Sequence, residues 1–132
     1  MTKLPVVYAD GTTLSPQEVM MVARGQATVE VSENAWPLIH AARGVVQRIV
    51  ETGETVYGIN TGFGALVKER ISQEDLANLQ VNLVRSHATG LGENMSVESV
   101  RAMMMVRLNS LCKGHSGICL LYTSDAADDP TC

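Results

Sequence analysis

Four serines, Ser15, Ser32, Ser72 and Ser96, each stand before a stretch whose apolar residues recur at three- and four-residue steps. A serine hydroxyl accepts from the backbone N–H groups that open a helix, and an apolar face of helical period must be buried against something. The pattern predicts a mainly α chain. Ser15-Pro16-Gln17-Glu18 is the strongest start, with an N-cap, a proline at the tolerated first position and a glutamate able to close a capping box. Val19, Met20 and Val22 follow, and Gly25 is the expected stop. Ser32 is expected to cap a longer helix with Leu38, Ile39, Ala42, Val45, Val46, Ile49 and Val50 on one face, ended by Gly53. Ser72 with Asp75 opens a third, which carries Leu76, Leu79, Leu83 and Val84 and is broken by Thr89-Gly90-Leu91-Gly92. Ser96 opens a fourth, in which Ala102 to Val106 is apolar nearly all round, the pattern of a helix covered on several sides. Near the N-terminus, Val6 to Tyr8 and the alternating Ala27 to Val31 read as short β strands.

Composition removes several classes of function. The chain of 132 residues fits one domain, and its net charge of −4 without a Lys/Arg cluster lacks the basic footprint that phosphate neutralisation requires. No nucleic-acid partner is expected. No apolar run approaches the ~20 residues of a membrane span, so no membrane association is expected either. The N-terminus shows no long apolar segment of a signal peptide, which makes the cytoplasm the default. Cys112, Cys119 and Cys132 form neither a disulfide framework nor a C-x-x-C metal pattern. His40, His87 and His115 have no partner at ligand spacing, so no metal is expected. On residue type alone, His40 and His87 read as structural and His115 as part of a helix end.

The segment "YGINTGFG", Tyr57 to Gly64, is dense in glycine but lacks the Lys-Ser/Thr of a P-loop and the spacing of a dinucleotide loop. Two readings of Tyr57 stay open from the residues themselves. It packs its ring and bonds its hydroxyl, or it is an acid–base group on a mobile loop formed by Gly58, Asn60, Gly62 and Gly64.

"YGINTGFG", then "LQVNLVRSHATGLGE", then "RLNSLCKGHSGI" resemble the N-terminal part of the aromatic amino-acid ammonia-lyases, over a span from about Val6 to Ile118. The resemblance implies the helical ammonia-lyase (aspartase/fumarase-like) fold, a homotetramer and a small amino-acid substrate. It also implies a methylidene-imidazolone electrophile formed from an Ala-Ser-Gly triplet. This chain contains no such triplet, and Ser116-Gly117 follows His115 instead. Tyr57 matches the family's catalytic tyrosine, the base that takes the β-carbon proton. His87 matches the histidine of the family's Ser-His pair, which faces the substrate ring. Ser86-His87 favours histidine as substrate, with urocanate and ammonia as products. Tyrosine-directed lyases and 2,3-aminomutases of the same family carry a similar pair and remain the alternative. From another class, the alternative is a small helical protein-interaction module using the Met-rich helix as a partner surface. Residues 1–118 are thus expected to be a truncated N-terminal part of an ammonia-lyase domain. The segment 119–132, "CLLYTSDAADDPTC", has no helix stop and no strand alternation. It is similar to peptide translated from sequencing-adapter DNA and is expected to be non-native, the alternative being a disordered acidic tail.

Overall fold

The computed structural model describes residues 3–61 and 71–118. The order of elements is β1 (Val6–Ala9), α1 (Pro16–Ala23), β2 (Thr28–Val31), α2 (Trp36–Thr52), α3 (Gln73–His87) and α4 (Val97–Leu111). Two compact units divide the chain: residues 1–44 with 94–132, and residues 45–93.

In the first unit β1 and β2 pair in parallel, Val6 opposite Thr28 and Ala9 opposite Val31. Parallel neighbours cannot be joined by a tight hairpin, and here α1 makes the connection. The turn out of β1 is held by Asp10, whose carboxylate accepts from the Thr13 hydroxyl at 2.6 Å and from the backbone N–H groups of Thr12 and Thr13. Those bonds, the Thr13 hydroxyl first, hold the Asp10 carboxyl well below the usual carboxylate range.

The capping box of α1 is complete. The Glu18 N–H donates to Ser15 Oγ, and the Ser15 N–H donates to Glu18 Oε2 at 2.8 Å. At the other end the Gln26 N–H donates to the Met21 carbonyl and the Gly25 N–H to the Val22 carbonyl, the two bonds of a Schellman motif. α1 packs on α4, which also touches β1. Val7, Ala9, Ala27, Ala35, Ile39, Met105, Leu111 and Cys112 form the buried core between these elements. Burial raises the Cys112 thiol above its ordinary pKa. Gly114 closes the unit. Its φ is +69°, and a Cβ there would stand 2.6 Å from the Leu38 backbone, so no side chain fits.

Ser72 and Ser96 cap α3 and α4 as their positions predict, their hydroxyls accepting from the Asp75 and Ser99 N–H groups. Ser32 does not cap α2. The Ser32 carbonyl closes a turn with the Ala35 N–H, and the helix starts at Trp36. Pro37, which has no N–H to donate, fits that first turn and places the start four residues after Ser32.

Among the described side chains of the second unit, the polar Asn60 and Thr61 are fully buried, and Val46, Ile49, Val50, Val56, Ile59 and Ile71 are half-buried. Of the apolar face expected on α3, Leu79 and Leu83 are half-buried and Val84 is exposed, while the Leu76 side chain lies outside the described ones; Val81, off that face, is also exposed. α4, in the first unit, turns Met105 inward and leaves Val97, Val100, Met103 and Met104 on its surface.

Candidate active site

The expected site residues fall in the second unit. Tyr57 lies in the turn that follows α2 and is 62% exposed. Gly58, next to it, has φ +79°, a conformation that favours glycine, and no described residue within 4 Å of where a Cβ would be. Asn60 is 3% exposed. Gly62 and Gly64 lie outside the described residues.

Asn60 uses all four of its polar groups, three on the turn that carries Tyr57 and one toward Ile71. Its Oδ1 accepts from the Val56 N–H at 2.9 Å, and its Nδ2 donates to the Glu54 carbonyl at 2.7 Å. Its N–H donates to the Val56 carbonyl at 3.3 Å, and its carbonyl accepts the Ile71 N–H at 3.1 Å. Asn60, a member of the expected mobile loop, is thus bonded to the backbone at Glu54, Val56 and Ile71.

His87 is the last residue of α3 and is exposed. Its Nδ1 lies 2.8 Å from the Leu83 carbonyl oxygen and 3.0 Å from Ser86 Oγ. The Ser86 hydroxyl donates to that same carbonyl at 2.8 Å. A carbonyl oxygen only accepts, so the proton belongs on Nδ1. In the neutral ring Nε2 then carries a lone pair and can accept from an N–H or O–H brought to it. The Leu83 carbonyl thus leaves Nε2 as the ring nitrogen able to accept. Sequence reasoning paired Ser86 with His87 but missed the Leu83 carbonyl, which a helical i, i−4 spacing could have supplied.

The other histidines stand apart from this chemistry. His40 stacks on Trp36 along α2, ring centroids 5.8 Å apart, and His115 is exposed beyond the end of α4. Among the described residues no group of three or more His, Cys, Asp or Glu is arranged to hold a metal.

The sequence pattern that defines the aromatic amino acid lyases matches residues 14–126. The chain belongs to the aromatic amino acid lyase family. The match ends inside the 119–132 segment, which lies outside the described residues. A histidine ammonia-lyase of Myxococcus xanthus is 45% identical over 114 residues, which are 86% of this chain and 22% of that protein. Among solved structures, the histidine ammonia-lyase of Trypanosoma cruzi superposes with a TM-score of 0.83 at 42% identity, over 91% of this chain and 23% of that one. A tyrosine aminomutase from Streptomyces globisporus gives a TM-score of 0.79 at 36% identity, over 87% and 22%. The family fold expected from the three sequence blocks is therefore present. The chain spans under a quarter of the length of these lyases.

Proposed function

We propose that this chain is part of a lyase that eliminates ammonia from L-histidine to give urocanate. In this reading Tyr57 takes the proton from the β-carbon. The C–H electron pair becomes the new double bond, and the α-amino group leaves with the pair of the broken C–N bond. A phenolate is a stronger base than a carboxylate, which suits so weak an acid. The chain has no Ala-Ser-Gly triplet, so the implied methylidene-imidazolone cannot form from its residues, and no step is assigned to that group. The residues present supply the base and the recognition of the ring. A homotetramer, the cytoplasm and a place in histidine breakdown belong to the same reading.

The observation that carries the choice of substrate is the bond from His87 Nδ1 to Leu83, which leaves Nε2 as an acceptor. A substrate imidazole can donate its ring N–H to that acceptor, whereas a phenyl ring that covers it offers no donor and leaves it unpaired, at a cost of about 1–3 kcal/mol. A tyrosine hydroxyl can donate there too. With the likeness to a tyrosine aminomutase, this keeps tyrosine as the second reading. The test is kcat/KM for histidine, tyrosine and phenylalanine in the full-length protein and its His87→Leu variant. Histidine should be preferred before the change, and the penalty against phenylalanine should shrink after it. Unchanged ratios would return His87 to a structural role.

A further inference from the structure

We infer that Asn60 is the positioning residue for Tyr57. This rests on the reading of Tyr57 as the base. A base works only when its proton-accepting atom is held near the reacting bond, and a displacement of about 1 Å can cost about 100-fold in rate. Tyr57 is 62% exposed and is carried by the turn that follows α2.

That turn is fixed around Val56 and Tyr57. The Val56 N–H is taken by the Asn60 carboxamide, and the Val56 carbonyl, part of the peptide that leads into Tyr57, accepts from the Ile59 and Asn60 N–H groups. Both peptide planes flanking the Val56 Cα are thereby held. The Asn60 carboxamide adds a second strut to Glu54, where the chain leaves α2. The Asn60 carbonyl ties the turn to Ile71, just before α3 opens. A side chain buried to 3% exposure, with its oxygen and its nitrogen both bound to backbone, sets the path of the chain. Other residues do this less well. Aspartate keeps the acceptor for Val56 but, ionised, cannot donate to Glu54. Glutamine is one methylene longer. Alanine leaves the Val56 N–H and the Glu54 carbonyl without these partners.

The test is a double-mutant cycle in the full-length protein with Tyr57→Phe, Asn60→Ala and the pair together, read as kcat and KM on histidine. Asn60→Ala should lower kcat about 10–100-fold with KM within about twofold, and Asn60→Asp should lose less. In the Tyr57→Phe background Asn60→Ala should cost about twofold or less, because there is no longer a base to misplace. β-Deuterated histidine should show a larger isotope effect on kcat/KM in Asn60→Ala than in the parent, a readout that a lower folded fraction would not move. Losses that multiply in the double variant, or a kcat for Asn60→Ala within about twofold of the parent, would overturn the proposal. If Tyr57→Phe is crippling and Asn60→Ala harmless, only the positioning role falls. If Tyr57→Phe itself is harmless, the base reading falls and the positioning role with it. If Asn60→Ala yields no soluble protein, Asn60→Asp carries the cycle, and insolubility of both would assign Asn60 to folding and overturn the proposal.

Discussion

Tyr57 and His87 divide the work in the proposed reaction, and their surroundings differ accordingly. Tyr57 rides on a turn braced from below by Asn60, whereas His87 has its ring proton fixed by a carbonyl of its own helix. Replacing Tyr57 by phenylalanine keeps the ring and removes the acceptor, so kcat on histidine should fall about 10²–10⁴-fold with KM little changed. Steady-state kinetics of the full-length variant checks this, and a loss of tenfold or less would make Tyr57 structural. At this scale the sequence named the residue types but not their bonds. "YGINTGFG" marked Tyr57 through family likeness, and Ser86-His87 was legible as a pair. The Asn60 carboxamide was not, because a turn's side-chain-to-backbone bonds depend on dihedral angles that hydrophobic periodicity does not encode. The one available hint was that asparagine readily bonds nearby backbone in turns.

Elements were legible where their ends carry local chemistry. Ser15, Ser72 and Ser96 start α1, α3 and α4 as read, because a hydroxyl cap is a contact between residues three apart. The start of α2 was misplaced at Ser32 because Pro37 and a turn to Ala35 decide it instead. The parallel pairing of β1 with β2 was not legible, since a four-residue strand does not declare its partner. Two substitutions test the first unit by chemical denaturation. Ser15→Ala removes the hydroxyl half of the capping box and should cost about 1 kcal/mol. Gly114→Ala forces a Cβ into the Leu38 backbone at positive φ and should cost roughly 1–3 kcal/mol, more than a solvent-facing change. A pH titration tests the cap from another side. The Ser15 hydroxyl and then the Ser15 N–H bind the Glu18 carboxylate and lower its pKa in the folded chain. Unfolded, Glu18 binds protons more readily, so its contribution is complete above the ordinary carboxylate pKa and disappears as pH falls through the lowered one. Ser15→Ala should therefore flatten the acid side of the stability profile, and an unchanged acid limb would exclude this linkage.

At the scale of the whole chain, the described side chains of the two units differ in what they bury. The first has an apolar core from Val7 to Cys112, and the second, among its described side chains, buries Asn60 and Thr61. Val97, Val100 and Met104 of α4 recur at three- and four-residue steps and are exposed, as are Met103 of α4 and, in the other unit, Val81 and Val84 of α3. The 132-residue chain alone should therefore self-associate, visible by light scattering, and should form no urocanate. The Ala102 to Val106 run, apolar nearly all round, pointed to a helix covered on several sides, whereas Met103, Met104 and Val106 are exposed. The sequence could not foresee which side of that helix meets α1, because that depends on partners distant along the chain. Product analysis tests the proposed reaction most directly. Full-length protein carrying this sequence should be given equal concentrations of histidine, tyrosine and phenylalanine, with urocanate, coumarate, cinnamate, β-tyrosine and ammonia followed together. Urocanate should accumulate first, with one ammonia released for each. Preferential loss of tyrosine, or conversion of none of the three, would contradict the assignment.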